Sequence, residues 1–136
     1  MKSFNPYLRF DGNCREAMTF YKEALGGDLH MQTVGESPMA TQISTEAHQK
    51  IMHSRLSGGG FVLMGSDMVA SEGLVAGNAI TLLVDCSTEE EVKTLFSKLS
   101  AGGKVTYPLK QEFWGGIFGT FVDKFGKEWQ LNYDIR

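Results

Sequence analysis

The 136-residue sequence is poor in several features that mark particular classes of protein. Its two cysteines, Cys14 and Cys86, form neither a CxxC motif nor a Cys/His spacing of the zinc type, so no disulfide framework or structural metal knot is predicted. The 13 Lys and Arg residues are outnumbered by 16 Asp and Glu residues and form no run. This charge balance argues against a nucleic-acid-binding module, because such modules usually concentrate basic residues on one face.

Long apolar runs are also missing from the sequence. The longest, such as residues 61–64, are far shorter than the roughly 18 residues that span a bilayer. Residues 1–6 lack the apolar core of a signal peptide. From these absences we expect a cytoplasmic protein that has no membrane or nucleic-acid partner.

Glycine, in contrast, is abundant, and many of the 16 glycines stand in pairs or triplets, at positions 26–27, 58–60, 102–103 and 115–116. No G-x-G-x-x-G or P-loop motif opens a helix after a strand, so these clusters do not predict a phosphate cradle. They indicate turns between many short elements.

An internal repeat organises the chain, because two segments contain the same elements in the same order. In the first, an alternating strand at residues 6–10 precedes a helical stripe over Cys14–Leu25 that stops at a glycine pair. In the second, a strand at 79–84 precedes a capping box at 87–90 and a helical stripe over 92–99. Each half therefore begins with a strand and a helix.

Three further strands follow each helix. The pattern predicts strands at 28–34, 51–56 and 61–66 in the first half and at 104–109, 117–122 and 127–133 in the second. We expect an α+β protein of two βαβββ modules, residues 1–67 and 78–136, joined by a linker at 68–77. Two such modules can form a curved, cup-shaped mixed sheet with the helices outside.

Three stretches carry a family resemblance: NPYLRFDGNCREAMTFYKEALGG at residues 5–27, IMHSRL with FVLMGSD between residues 51 and 67, and FWGGIFGTFVDKFGKEWQLN at residues 113–132. Together they resemble the PhnB-like branch of the glyoxalase, bleomycin-resistance and extradiol-dioxygenase superfamily, also called the vicinal oxygen chelate proteins. The resemblance implies a single glyoxalase-like domain over residues 1–136. It also implies a homodimer whose cup holds a small ligand and often a divalent metal.

The metal ligands of that superfamily are not matched in this sequence. In the metal-dependent relatives, four side chains, usually His and Glu, project into the cup from the first and last strand of each module. The matching positions here are Asn5, Met64, Ala79 and Gln130. Alanine cannot bind a metal, a Met thioether suits copper(I), and neutral amides bind weakly. We therefore expect no metal site and no cofactor.

Strand alternation places a polar set of residues on one face of the predicted sheet. Its members are Asn5, Tyr7, Arg9, Thr81, Glu128, Gln130 and Asn132. Such a face is either a ligand site or an ordinary solvated surface, and the family resemblance favours the ligand site. Arg9 would then bind a carboxylate or phosphate through its planar guanidinium, unless it pairs with Glu128.

His53 is the best single candidate for catalysis, because imidazole titrates near neutrality and can act as an acid, a base or a metal ligand. Asp67 follows the strand that should pair with the strand of His53, so it could orient the imidazole or join it in a weak, non-standard metal site. The alternatives are a hydrogen-bonded strand histidine without a chemical task and an aspartate that caps a turn.

Phe113 and Trp114 precede two glycines at the entrance of a strand. Aromatic rings beside exposed backbone can form a pocket rim that stacks on a planar or apolar ligand. The alternative is an anchor in the core or in a dimer interface. The polar loop at 44–50, which contains His48, is expected to be mobile and solvated.

The leading hypothesis is a protein that binds a small organic ligand in the polar cup without the usual divalent metal. One alternative is an enzyme of lyase, isomerase or oxygenase type that uses His53 as base or ligand. Another is a vestigial cup in a protein with a structural role in assembly. Some members of the branch are labelled as ubiquinone-pathway methyltransferases, but the parallel βαβ sheet of a dinucleotide or adenosyl site is not predicted here.

Overall fold

The computed structural model describes residues 1–68 and 73–134. The chain divides into two compact units, Met1–Val75 and Ala76–Arg136, and each contains one of the predicted modules. The predicted linker at 68–77 falls partly on residues 69–72, which lie outside the described residues. Within the described ranges, no helix is both long and apolar enough to cross a membrane.

The first unit has the element order β1, α1, β2, β3, β4, with bounds Tyr7–Phe10, Cys14–Leu25, Asp28–Thr33, Ile51–Gly58 and Phe61–Asp67. Its four strands form one sheet in the order β1-β4-β3-β2. The β1 and β4 strands pair in parallel and the other pairs are antiparallel, so the sheet is mixed. The first and last strands of the unit therefore lie side by side.

The helix α1 has the predicted bounds because its apolar residues recur at helical spacing. The residues of this stripe are completely buried, and they are Cys14, Ala17, Met18 and Tyr21. They cover one face of the sheet, where Phe10 of β1 and Leu56 of β3 are also buried. Within the described residues, no helix of this unit packs against the opposite face of the sheet.

The second unit has the element order β5, α2, β6, β7, β8, with bounds Leu82–Cys86, Glu89–Ser100, Lys104–Gln111, Gly116–Val122 and Glu128–Asp134. The sheet order β5-β8-β7-β6 repeats the topology of the first unit, again with a parallel pair between the first and last strands. The core consists of the buried stripe of α2 against β7 and β8, with Val92, Leu99, Ile117, Phe121 and Leu131. The predicted α+β class with paired βαβββ modules is confirmed, and each mixed sheet is open.

The start of the second unit differs from the prediction. The first strand was expected at residues 79–84, but β5 is Leu82–Cys86. Its register is set by pairing with β8, from Leu82 opposite Trp129 to Cys86 opposite Tyr133. Because the strand continues to Cys86, the helix cap moves one residue along the chain. Thr88, rather than residue 87, accepts the hydrogen bond of the cap, from the Glu91 backbone N–H at 3.0 Å.

The polar stretch that includes the loop at 44–50 forms short 3₁₀ turns at Val34–Glu36, Ala40–Gln42 and Thr45–Ala47. His48 holds these turns together, since its Nε2 lies 2.8 Å from the Ala40 carbonyl and 3.2 Å from the Ile43 carbonyl. Sequence patterns gave no partner for His48 because both carbonyls belong to irregular backbone.

Candidate functional site

The face of the first sheet that lies opposite α1 carries polar side chains from all four strands. We call it the open face of the first sheet, and its residues are Tyr7, Arg9, His30, Gln32, His53, Arg55, Met64 and Ser66. Strand register places Tyr7, Met64, Arg55 and His30 in one row across the sheet. The neighbouring row contains Arg9 opposite Ser66, and His53 opposite Gln32.

A register shift in the pairing of β2 with β3 places Ile51 on the opposite face from His53. The pairing of β2 with β3 shifts between Gln32 and Thr33, so that Gln32 lies opposite His53 while Thr33 lies opposite Ile51. Without the extra residue, His53 would share the face of Ile51, which is completely buried. The register shift therefore separates a core side chain from a candidate functional one within three residues of sequence.

Tyr7 and His53 contact each other on this face. The Tyr7 hydroxyl lies 3.2 Å from His53 Nδ1, within hydrogen-bonding distance. The two rings are also stacked, with centroids 5.9 Å apart and planes 30° from parallel. The structure thus joins two of the predicted site residues, although they come from β1 and β3, which are separated by β4.

The charged side chains of the open face are cationic. Arg55 and His30 lie directly opposite each other on neighbouring strands, and Arg9 is on β1. The two rows contain no Asp or Glu. In the described part of the chain, the side chain of Arg55 makes no hydrogen bond or ion pair. An arginine side chain without a carboxylate partner favours an anion at this position.

Asp67, the predicted partner of His53, is held by the backbone instead. Its Oδ1 accepts hydrogen bonds from the N–H groups of Gly12 and Cys14, both at 2.9 Å, and its Oδ2 accepts from the Ile51 N–H at 2.8 Å. The side chain is 5% exposed. Among the described residues no hydrogen bond joins Asp67 to His53. The carboxylate links the end of β4 to the beginnings of α1 and β3.

The four positions that match the superfamily's metal ligands do not provide a metal site. Asn5 precedes β1 and donates from Nδ2 to the Ser3 hydroxyl at 2.9 Å. Met64 lies in β4, Ala79 precedes β5, and Gln130 lies in β8 opposite Leu83. Across residues 1–68 and 73–134, no group of three or more His, Cys, Asp or Glu side chains could hold a metal ion. The donor set present does not suit a hard or borderline divalent ion.

The second sheet also has a face opposite its helix, which we call the open face of the second sheet. It contains Leu83, Asp85, Phe118, Thr120, Val122, Glu128, Gln130 and Asn132. Glu128 and Gln130, both predicted site residues, are half-buried in it. Asn132 donates from Nδ2 to Asp85 Oδ1 at 3.1 Å. Carboxylate and amide side chains are present on this face, whereas the charged side chains of the open face of the first sheet are basic.

Phe113 and Trp114 belong to a chain of ring contacts in the second unit. Ring centroids are 5.3 Å apart for Phe113 and Trp114, 6.1 Å for Trp114 and Phe118, and 5.8 Å for Phe118 and Tyr107. Phe113 is 97% exposed and Trp114 46%, so neither is a core residue of this unit. We call these four rings the aromatic shelf.

Two polar side chains fix the Tyr107 end of the aromatic shelf. The Tyr107 hydroxyl donates to Glu112 Oε1 at 2.6 Å, and the Lys110 ammonium lies 5.0 Å from the ring centroid. The hydrogen bond to Glu112 raises the pKa of Tyr107, because the carboxylate stabilises the protonated phenol. Tyr107 is therefore a neutral donor at physiological pH.

Sequence reasoning missed several residues of these surfaces. His30 and Gln32 lie on β2 and Arg55 on β3, and their alternation in the sequence could have indicated a shared face. Tyr107 and Phe118 come from neighbouring strands of the second sheet. Their contact depends on a register shift between β6 and β7, which strand periodicity does not reveal.

Comparisons with known proteins agree on one family. The family model for 3-demethylubiquinone-9 3-methyltransferase matches residues 2–132. Protein YjdN of Escherichia coli (strain K12) is 33% identical over 94% of this chain and 92% of its own length. The crystal structure of protein PA1353 from Pseudomonas aeruginosa is 37% identical, covers 98% of both chains and superposes with a TM-score of 0.88.

More distant structures carry the same fold. The PhnB protein from Bacillus cereus is 26% identical over 97% of this chain and 99% of its own, with a TM-score of 0.78. A glyoxalase, bleomycin resistance protein and dioxygenase family enzyme from Burkholderia phytofirmans is 15% identical over 93% and 95%, with a TM-score of 0.61. The chain therefore belongs to the PhnB-like family named after 3-demethylubiquinone-9 3-methyltransferase, and it has the fold of the glyoxalase and bleomycin resistance superfamily.

Proposed function

We propose that this protein binds a small organic anion on the open face of the first sheet. The observation that carries the proposal is the pairing of Arg55 with His30 across neighbouring strands, in two rows of side chains without a carboxylate. An anion that binds here would pair with the Arg55 guanidinium and accept hydrogen bonds from it, and no carboxylate in the two rows competes for that pairing.

The shape of the donors suits a carboxylate or phosphate group. The guanidinium of Arg55 presents a planar fork that bonds both oxygens of such a group. Tyr7 and His53 add further hydrogen-bonding groups in the neighbouring positions, and their mutual contact at 3.2 Å orients both rings before a ligand arrives. Orientation in advance lowers the entropy that binding would otherwise cost.

Binding without a divalent metal is part of the proposal. It is supported by the chemistry of Asn5, Met64, Ala79 and Gln130, which together offer two amides and one thioether. A metal would therefore need ligands other than those used in the metal-dependent relatives.

The contact between Tyr7 and His53 also favours a second candidate, an enzyme of lyase, isomerase or oxygenase type. The hydroxyl of Tyr7 engages His53 Nδ1. Within the described residues, Nε2 of the same ring has no hydrogen-bond partner. A histidine held through one nitrogen can exchange a proton with a substrate through the other.

Two further properties follow the family resemblance and are proposals as well. One is a homodimer formed through a hydrophobic interface. Exposed apolar side chains such as Ile80, which is 84% exposed, would be buried in that interface. The other is residence in the cytoplasm, where both cysteines stay reduced.

Calorimetric titration with malonate, glycerol 3-phosphate and inorganic phosphate tests the anion site. We expect at least one of the organic anions to bind, and Arg55→Ala to weaken that binding by about tenfold or more, which corresponds to one lost charge-assisted contact. Arg15→Ala is the matched control, because Arg15 is an exposed arginine on α1 and lies outside the open face. Equal loss in both variants, or no binding of any of these anions, would overturn the proposal.

Metal analysis tests whether the protein is metal-free, as the proposal requires. The protein is purified without chelator, soaked in zinc, manganese, nickel or iron(II), and compared with His53→Ala. We expect the metal content to stay below about a tenth of an ion per chain. A content of about one ion per chain that is lost in His53→Ala would replace the metal-free proposal with a non-standard metal enzyme.

A further inference from the structure

We infer that the aromatic shelf of the second unit is a second binding site, which takes an uncharged planar aromatic ring. It differs in chemistry from the proposed anion site, and every residue that forms it belongs to the second unit.

Backbone hydrogen bonds hold the turn from which Phe113 and Trp114 project. The segment between β6 and β7 is closed by two hydrogen bonds, from the Glu112 N–H to the Gly116 carbonyl at 2.7 Å and from the Gly115 N–H to the Glu112 carbonyl at 3.1 Å. Gly115 adopts φ +93°, a conformation that favours glycine. The tight turn therefore fixes the backbone that carries Phe113 and Trp114.

The indole of Trp114 approaches the strand closely. A Cβ atom at position 116 would lie 2.6 Å from Trp114 Nε1 and 3.2 Å from its Cδ1. Only glycine at 116 allows the indole to lie on the backbone of β7. A large aromatic side chain that is packed against the backbone and still 46% exposed offers ring surface at little conformational cost to a ligand.

The charged groups near the aromatic shelf determine which class of ligand fits it. Glu112, Asp85 and Glu128 lie in or beside the open face of the second sheet, and they disfavour an anion. The ammonium of Lys110 already occupies a position over the Tyr107 ring at 5.0 Å, and it disfavours a second cation there. A neutral ring avoids both repulsions.

Hydrogen-bonding groups next to the rings provide orientation. Phe118 lies opposite Asn132 in the sheet, and Thr120 lies opposite Gln130. The amide of Gln130 makes no hydrogen bond within the described ranges. A hydroxyl or carbonyl on the edge of a stacked ring could bond this amide, so phenols and similar oxygen-bearing aromatic rings fit best.

The two tryptophans of the chain make a direct test possible, because each gives one indole N–H signal in a ¹⁵N-resolved NMR spectrum. Trp114 is on the shelf, whereas Trp129 is 2% exposed and donates to Asp123 Oδ2 at 2.8 Å. Trp114→Phe assigns the two signals. With 2-naphthol as the probe, we expect a saturable shift of the Trp114 signal and none of the Trp129 signal.

Matched comparisons decide the outcome. Decahydro-2-naphthol, the saturated analogue, is expected to bind at least about tenfold more weakly, since it cannot stack. Trp114→Ala should weaken naphthol binding, measured by calorimetry, by about tenfold, whereas Val105→Ala, which removes an apolar side chain of the same 46% exposure from β6, should leave it unchanged. Arg55→Ala should also leave naphthol binding unchanged, so the two proposals fail independently of each other.

Three results would overturn the inference: no saturable shift of the Trp114 signal, equal affinity for the saturated analogue, or unchanged affinity in Trp114→Ala. A second copy of the chain is the other possible occupant of the shelf. If naphthol does not bind and Trp114→Ala lowers the mass measured by sedimentation equilibrium, the shelf is covered by that copy and the inference is wrong.

Discussion

The Tyr7 hydroxyl lies 3.2 Å from Nδ1 of His53, and their rings stack with centroids 5.9 Å apart. The two residues are 46 positions apart in the sequence, and β4 lies between their strands. The tautomer of His53 decides which of the two atoms donates the hydrogen bond. In either case the contact orients both side chains within the proposed anion site.

Tyr7→Phe removes this hydrogen bond and keeps the ring. We expect the affinity for the organic anion to fall about fivefold, which corresponds to about 1 kcal/mol for one hydrogen bond. The free energy of unfolding, measured in urea, should change by less than about 0.5 kcal/mol, because Tyr7 is an exposed side chain on an edge strand.

Tyr107→Phe is the control for that variant, since its hydroxyl also makes one side-chain hydrogen bond but belongs to the second unit. It should leave anion binding unchanged. If Tyr107→Phe weakens anion binding as much as Tyr7→Phe does, the role given to Tyr7 is refuted.

Asp67→Ala should destabilise the protein by about 3 kcal/mol or more, measured by urea unfolding, because three backbone N–H groups, two of them buried, lose a charged acceptor. Asp28→Ala is the control, an exposed carboxylate at the start of β2, and it should change stability by less than about 0.5 kcal/mol. A loss of activity or binding in Asp67→Ala without a loss of stability would restore the idea that Asp67 serves His53.

Gly119→Ala should destabilise the second unit, since the added Cβ would lie 2.6 Å from Phe96 Cε2 and 2.9 Å from the Leu109 backbone. Overpacking of this kind costs about 2 kcal/mol. Gly59→Ala is the matched control, with no atom within 4 Å of the added Cβ. Thermal unfolding of both variants tests the difference, and equal melting temperatures would contradict the packing described for α2 on β7.

The Cys86 thiol should be unreactive in the folded protein. Burial raises its pKa to about 11 from an ordinary 9.0, and the carboxylates of Glu91 and Asp85 add to the effect. At pH 8 the folded protein therefore has about a hundredfold less thiolate at Cys86 than the unfolded chain has. Modification by Ellman's reagent, followed by peptide mapping, should be slower by a similar factor.

The same shift makes stability depend on pH. Because the folded state holds the proton more tightly, the stabilisation is fully present below pH 9 and is lost as the pH rises toward 11. Cys86→Ser should remove this part of the alkaline loss of stability, as measured by urea unfolding between pH 8 and pH 11. An identical pH dependence in the variant would show that Cys86 is not its source.

The sequence predicted the helices and most strands because their periodicity is local. The bounds of α1 are those predicted, since one apolar stripe and a glycine pair define them. The start of β5 could not be predicted in the same way, because residues 79–84 also have a sequence pattern that is compatible with a strand. Only the pairing with β8 places the strand at Leu82–Cys86. The shift of the cap from residue 87 to Thr88 follows from that selection.

The candidate sites were predicted less completely, since they depend on contacts between strands. The approach of Tyr7 to His53 requires β1 to pair in parallel with β4 and β4 to pair with β3. An aspartate that ends a strand looks the same in sequence whether it caps a turn or binds three distant N–H groups, as Asp67 does. Composition alone cannot separate these cases.

Because the first and last strands of each unit pair in parallel, each sheet can be completed only after its last strand has been translated. The first sheet stays incomplete until β4 has left the exit tunnel, since β1 has no other partner in that sheet. After that point, none of its strand pairs waits for residues beyond Asp67. Because domains generally fold as units with the N-terminal one first, Tyr7, His53 and Arg55 can come together while the rings of the aromatic shelf are still being translated.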